Sequence, residues 1–270
     1  MAWQVTEDHE RVAPLGTSLA LRFDFSEKWC NGWLDFENHC SQACPDSAMV
    51  DGKYDQCLTC RNRTGFNPAF YHAAEVSEQQ QKLNQTPHYL YLAYLAPGVV
   101  KVGISQAARG IKRLLEQGAR AAVRLETFPT ALVARQYEAK IAGLDGFVEH
   151  VTQGKKLGFL QQVFDAEQAR AELEQAMASV ERQLHVRFEA AEFIDTERHF
   201  YHQPTDVTRA KDVSGQECIV GEVRAMIGPL LITEWQDELL VYNLKRYIGY
   251  RAQHDETAAV ALPEEQLALF

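Results

Sequence analysis

The chain has 270 residues, 46% of them hydrophobic, and a formal net charge of −10. That length supports two or three small domains with cores of their own. The acidic balance excludes a protein that coats nucleic acid over its whole surface, and no apolar run approaches the length of a membrane span.

Residues 1–16 are polar and acidic rather than signal-like, so the expected location is the cytoplasm, with no membrane partner. Ser18 to Phe25 alternates apolar and polar from Leu19, the pattern of a half-buried strand. Six cysteines are present, and five of them fall between Cys30 and Cys60. Clustered thiols in a reducing compartment point to metal binding rather than to a disulfide framework. The most specific piece is the CxxC of Cys57-Leu58-Thr59-Cys60. Two thiolates so spaced on a tight turn can reach one tetrahedral ion at about 2.3 Å each. Cys30 and Cys44 are the expected second pair, with Cys40 or His39 as substitutes, which would make a closed structural zinc site. Unmetallated buried thiols and a redox pair are the alternatives.

Residues 61–88 read as a strap and linker. Tyr89 to Leu95 and Val99 to Ile104 are β-type runs broken by Pro97-Gly98, the signature of a hairpin. The spacing then predicts a helix over 108–122, with Ile111, Leu114 and Leu115 on one side and Lys112, Arg113, Glu116 and Arg120 mainly on the other. A second helix is expected from Thr130, as N-cap, to Gly143, with Glu138 in its middle. Residues 146–158 read as loop. A long helix capped by Asp165 runs through Leu184 with a recurrent apolar stripe. From Val186 the pattern turns to short strands over 188–193, 218–223, 230–233 and 239–242, with a further one expected at 247–250. Such strands suggest a small antiparallel barrel. Residues after His254 are expected to be frayed or lightly docked.

Charge is unevenly spread. Residues 1–85 carry a net of −5, residues 86–140 a net of +5 and residues 141–270 a net of −10. The only positive segment is the one holding the hairpin and the basic helix, so phosphate contact would concentrate there. The sequence contains no phosphate-cradling glycine-rich loop, no nucleophile elbow and no dinucleotide fingerprint.

The order of hairpin, basic helix and carboxylate-bearing helix, over about residues 87–160, resembles a divergent GIY-YIG domain, the catalytic module of a superfamily of metal-dependent nucleases. Leu90-Tyr91-Leu92 occupies the first motif, with Tyr91 the better candidate and Tyr89 the fallback. Lys101-Val102-Gly103 occupies the second, followed by Ser105. Arg113 matches the helix arginine and Glu138 the metal-binding glutamate. The resemblance implies catalysis by Tyr91, Lys101, Arg113 and Glu138, with Glu138 holding magnesium or manganese. It places Tyr89, Ser105, Arg109, Lys112 and Arg120 as candidate nucleic-acid contacts. Two departures stand out: Lys101 replaces the tyrosine of the second motif, and Gln117 stands where a histidine is often found.

Across the whole chain, Cys30-Asn31-Gly32, Cys44-Pro45, Cys57 to Cys60, Lys101 to Gly103, Val241 to Leu244 and Gly249-Tyr250 carry a likeness to an uncharacterised bacterial family with a four-cysteine N-terminal segment and a GIY-YIG-like centre. The expected class is α+β: a zinc-binding β-rich segment over 1–86, a GIY-YIG-like domain over 87–164, a connecting helix over 165–186 and a C-terminal β domain over 187–270. The expected function is nucleic-acid-directed, as a divalent-metal-dependent endonuclease. The alternative is a non-catalytic module that binds nucleic acid or protein.

Overall fold

The computed structural model describes residues 15–36, 38, 40–66, 76–148, 150–201 and 205–263. Its elements, in chain order, are β1 (Ser18–Asp24), β2 (Trp33–Asp35), β3 (Cys40–Gln42), α1 (Leu58–Thr64), α2 (Glu78–Asn84), β4 (His88–Ala96), β5 (Val99–Gln106), α3 (Lys112–Gln117), β6 (Ala121–Phe128), α4 (Ala131–Ala142), β7 (Phe147–Val148), α5 (Gln153–Leu160), α6 (Ala166–Leu184), β8 (Glu192–Asp195), β9 (Lys211–Asp212), β10 (Cys218–Ile227), β11 (Leu230–Trp235), β12 (Glu238–Asn243) and β13 (Arg251–His254). The class is mixed α+β. No helix among the described residues is long and apolar enough to cross a membrane. The chain divides into two compact units, one from the described residues up to Arg63 with those from Tyr201 onward, the other Thr64–Phe200.

The second unit is built on a five-stranded sheet in the order β7-β5-β4-β6-β8. β4 lies at its centre and is buried along its whole length, which is why its sequence is a dense apolar and aromatic run rather than an alternating one. One face, Leu90, Leu92 and Tyr94, packs with Ile141 of α4 and with Ala169, Leu173 and Val180 of α6. The other face, Tyr89, Tyr91, Ala93 and Leu95, packs with Leu114 of α3 and Phe159. The expected hairpin is present, with Tyr91 opposite Gly103 and Ala93 opposite Lys101. α4 also lies where expected, its N-cap Thr130 accepting from the Val133 N–H at 3.4 Å. Asp165 caps α6 in the same way, accepting from the Gln168 N–H at 2.9 Å.

Three sequence expectations for this unit are corrected. The helix expected over 108–122 is a 3-10 turn (Ala107–Arg109) and then the six-residue α3, ended by Gly118 in the left-handed conformation at φ 68. Ala121 onward is instead a strand, β6, which supplies the second partner of β4. Alanines and straight-chain residues favour a helix locally, but pairing along β4 overrides that preference. The loop expected over 146–158 contains β7 and the helix α5. Of the strand expected over 188–193, only the end forms, as β8, and it joins this sheet antiparallel to β6.

The first unit holds a six-stranded sheet in the order β13-β1-β10-β11-β12-β9. The N-terminal strand β1 thus pairs with β10 on one side and β13 on the other. Segment boundaries drawn from sequence order do not match the sheets: residues 187–270 alone form neither sheet, because β8 leaves for the central one and β1 is imported from the N-terminal segment. The expected closed barrel is an open sheet among the described residues. Its outer strands β13 and β9 sit at opposite edges, and β9 runs parallel to β12. The turn between β11 and β12 uses Gln236 and Asp237, both at positive φ (52 and 63), as a two-residue hairpin with right-handed twist requires. The strand expected at 247–250 is a turn, and β13 begins one residue later. Val260, beyond it, is buried in the core of this sheet with Val220, Leu240 and Tyr242.

Candidate functional site

In the first unit, β2 and β3 form a short hairpin between Cys30 and Cys44, and α1 starts at Leu58, immediately after Cys57. These elements bring Cys30, Cys44, Cys57 and Cys60 together, with the four sulfurs within 4.8 Å of one another. Cys44 Sγ and Cys57 Sγ are 3.9 Å apart. Four thiolates at about 2.3 Å from one tetrahedral ion would be spaced by about 3.8 Å, so the cluster has the size of a metal site. Backbone N–H groups already point at the sulfurs. Cys57 N–H donates to Cys30 Sγ at 3.1 Å, Gly32 N–H to the same sulfur at 3.4 Å, and Cys60 N–H to Cys57 Sγ at 3.5 Å. The Cys60 N–H is the largest influence holding the Cys57 thiol down, at about 7, while burial pushes the Cys30 and Cys60 thiols up. A cation bound by all four would offset that burial cost.

Gly32 makes the first knuckle possible. It sits at φ +86, and a methyl group there would lie 1.8 Å from the Gln42 carbonyl oxygen of the facing strand. The expected ligand set is therefore the one assembled. Cys40, a substitute in the sequence reading, is elsewhere, its sulfur accepting from Gln42 Nε2 at 3.1 Å. His39, the other substitute, lies outside the described residues.

In the second unit, the Tyr91 ring leans from β4 across Gly103 of β5. A methyl group on Gly103 would sit 2.3 Å from the phenol oxygen and 2.4 Å from Cζ. The glycine of the second motif is thus the space that the tyrosine of the first one fills. Tyr91 is 1% exposed, and burial pushes its phenol up to about 12. The Arg113 guanidinium, a side-chain hydrogen-bond partner, pulls the other way, and the Glu138 carboxylate adds to the rise. Tyr91 of β4 therefore feels both Arg113 of α3 and Glu138 of α4. Arg113 also pairs with Glu116 at 3.7 Å, and Gln117 accepts from its two terminal nitrogens at 3.0 and 3.3 Å once its amide is turned.

We expect Gly103→Ala to cost about 1–3 kcal/mol, as overpacking does, because β5 cannot move away from β4 without breaking the ladder. The cost should shrink when Tyr91→Leu removes the phenol first. Urea unfolding of the two single variants and the double one measures this, and independent, additive effects would show that the ring does not occupy the space over Gly103.

A family model described as "Protein of unknown function (DUF2797)" matches residues 17–252, which include both the cysteine cluster and the Tyr91 site. The chain belongs to this family. No curated protein and no solved structure matches it.

Within this DUF2797 chain, the remaining candidates divide by how they are held. Glu138 is 5% exposed and its carboxylate is paired with Arg135, one turn earlier on α4. Lys101 is also buried, on the same sheet face as Tyr91, and its ammonium donates to the Val102 carbonyl at 3.1 Å. Ser105 and Tyr89 face each other across the hairpin, both buried. Arg109 and Lys112 reach the surface, Arg109 paired with Glu116.

Arg120 is a correction. Its Nε and Nη2 donate to Glu197 at 3.0 and 2.6 Å, its Nη1 donates to the Gln162 carbonyl at 2.7 Å, and its guanidinium lies 4.8 Å from the Phe164 ring centroid. At 5% exposure it is an interior brace and not a nucleic-acid contact. Sequence reasoning placed it on a helix face that does not exist, since the chain has already left α3 at Gly118. The same reasoning missed Arg135 and Arg124. The first is one turn from Glu138 and so was legible as an i,i+3 pair. The second became visible only once β6 was a strand beside β4.

Proposed function

We propose that the central unit is a nucleic-acid-directed phosphodiesterase of the GIY-YIG type, using Tyr91, Arg113 and Glu138. The observation that carries this reading is the Tyr91 ring seated over Gly103, with Arg113 of α3 and Glu138 of α4 both close enough to act on its phenol. Arg113 would brace the non-bridging phosphate oxygens through its forked donors. A phenol held at about 12 is protonated at neutral pH, so Tyr91 would orient the attacking water or an oxygen of the phosphate as a hydrogen-bond donor, rather than deprotonate the nucleophile. Glu138 would hold a magnesium or manganese ion, which would supply Lewis-acid charge to the phosphate oxygens. One carboxylate plus water is an ordinary protein contribution for such an ion. In the structure one oxygen of that carboxylate is paired with Arg135, so an ion there would share the carboxylate with the guanidinium or displace it. We also propose that the four-cysteine cluster takes zinc, and that with no open ligand position its task is to hold the 30–64 segment folded.

Cleavage of single- and double-stranded DNA and RNA in the presence of Mg²⁺ or Mn²⁺ tests the phosphodiesterase reading. Glu138→Ala should lower the rate by roughly 10²–10³, the usual cost of one electrostatic contact at a reacting centre. Absence of cleavage on every substrate, or a rate indifferent to the substitution, rejects it. A second reading is favoured by the pairing of Glu138 with Arg135 and by Gln117, which cannot exchange protons at neutral pH: a non-catalytic nucleic-acid-binding module on the same scaffold. Its mark is binding that survives both chelation of divalent ions and Glu138→Ala while remaining steeply dependent on salt.

A further inference from the structure

On the sheet face that carries Tyr91, a second buried phenol gathers three guanidinium groups. Tyr89 is 1% exposed and its ring lies 5.8 Å from that of Tyr91. Its hydroxyl donates to the Gly110 carbonyl at 2.6 Å, in the short connection between Arg109 and Arg113. Those two arginines converge on one carboxylate, Glu116. The third, Arg124 of β6, sits 4.9 Å from the centroid of the Tyr89 ring. It stands opposite Tyr91 in the β4–β6 register. Its Nε is buried without a hydrogen-bond partner, and its ion-pair partner is Glu192 at 3.3 Å, a carboxylate 60% exposed. All three positive charges act on the Tyr89 phenol.

Three guanidinium groups from three elements share two carboxylates, Glu116 and Glu192, which are 45% and 60% exposed. Solvent-screened pairs of this kind are weak, so a doubly or repeatedly charged anion can displace them. Planar forked donors match phosphate oxygens better than a lone point charge does, and the cluster lies in the single basic stretch of an acidic chain. We propose that Arg109 and Arg124, flanking Arg113, form a phosphate-binding site beside the Tyr91 site, which grips a backbone phosphate next to the one that Arg113 braces for cleavage. The ligand class is therefore a polynucleotide, with phosphates on both sides of a nucleoside, rather than a mononucleotide or a single phosphate ester. Naming a cleaved phosphate rests on the phosphodiesterase reading; the grip itself does not.

Anisotropy of a labelled oligonucleotide, single-stranded and duplex, over a salt series in the presence of EDTA separates the two. Arg124→Ala should weaken binding about tenfold and flatten the dependence of log K on log salt by about one unit, the mark of one lost phosphate contact. Glu192→Gln removes the competing carboxylate, and should tighten binding and steepen that dependence. Wild-type affinity and slope in Arg124→Ala overturn the proposal, as does an affinity for polyglutamate equal to that for the oligonucleotide. Should Arg124→Ala fail to fold, Glu192→Gln decides, and unchanged binding in that variant overturns it. A wild-type protein that binds oligonucleotides in EDTA but never cleaves them sinks the phosphodiesterase reading alone. One that cleaves with Mg²⁺ while binding nothing in EDTA sinks the phosphate grip alone.

Discussion

Cys60→Ser is expected to abolish metal binding and to unfold the segment from Cys30 to Thr64. Cys60 is fully buried at the first turn of α1, and a hydroxyl there cannot replace a thiolate as a ligand. The segment has little else to hold it, because β2 and β3 are three residues each and α1 is seven. Apparent binding free energies for structural zinc in small peptides are about 10–16 kcal/mol, far more than such short elements contribute by packing. Metal content by mass spectrometry should fall from stoichiometric to none, and limited proteolysis should open the chain between Cys30 and Thr64. Cys40→Ser is the control, since its sulfur lies outside the four-sulfur cluster and accepts from the Gln42 amide, and it should shift stability by no more than about 0.5 kcal/mol. Full metal content in the Cys60 variant, or loss of metal in the Cys40 variant, would mean that the ligand set is a different one.

Arg120→Ala should destabilise the second unit by about 3–5 kcal/mol, the cost of leaving one half of a buried ion pair alone. Three of the guanidinium nitrogens are used, two on Glu197 and one on the Gln162 carbonyl. The substitution therefore takes three donors at once from a carboxylate and a carbonyl in a largely buried setting. Replacing both partners, as in Arg120→Met with Glu197→Leu, should recover most of the loss, because no charge is then left buried. Chemical denaturation reads both variants. Oligonucleotide affinity of the folded double variant should equal that of the wild type. An affinity drop with stability intact would return Arg120 to the nucleic-acid contacts from which its burial removes it.

Local pattern was enough wherever a feature depends on near neighbours. The Pro97-Gly98 break, the caps at Thr130 and Asp165 and the knuckle cysteines each act over a few residues, so their chemistry is written in adjacent letters. The same holds for Tyr91 and Gly103, where the motif words stand in for a contact that the hairpin register then makes. Sequence reading failed where an element is decided by what lies beside it. The stretch from Ala119 to Leu125 has the composition of a helix, yet it forms β6 because β4 offers an open ladder and Gly118 ends α3 before it. α5 was missed for the opposite reason: its glycines at 154 and 158 read as breaks, although packing of Phe159 and Leu160 holds the helix. Arg113 and Arg120 looked alike on a presumed helix, but one borders Tyr91 and the other spans buried carboxylate and carbonyl oxygens.

Composition, cysteine spacing and the apolar hairpin determined by themselves that this chain is an α+β protein with a four-cysteine cluster and one basic segment, because those properties are local and survive any arrangement of the parts. Which sheet each strand joins was settled only by tertiary structure. β1 pairs with β10 and β13 from the far end of the chain, and β8 leaves its sequence neighbours for the central sheet. Such pairings bury apolar faces between segments that are distant in sequence, and no window of neighbouring residues records them. The same physics turned Glu138 toward Arg135 and brought Arg124 to Tyr89, so the character of the site, too, was decided by packing.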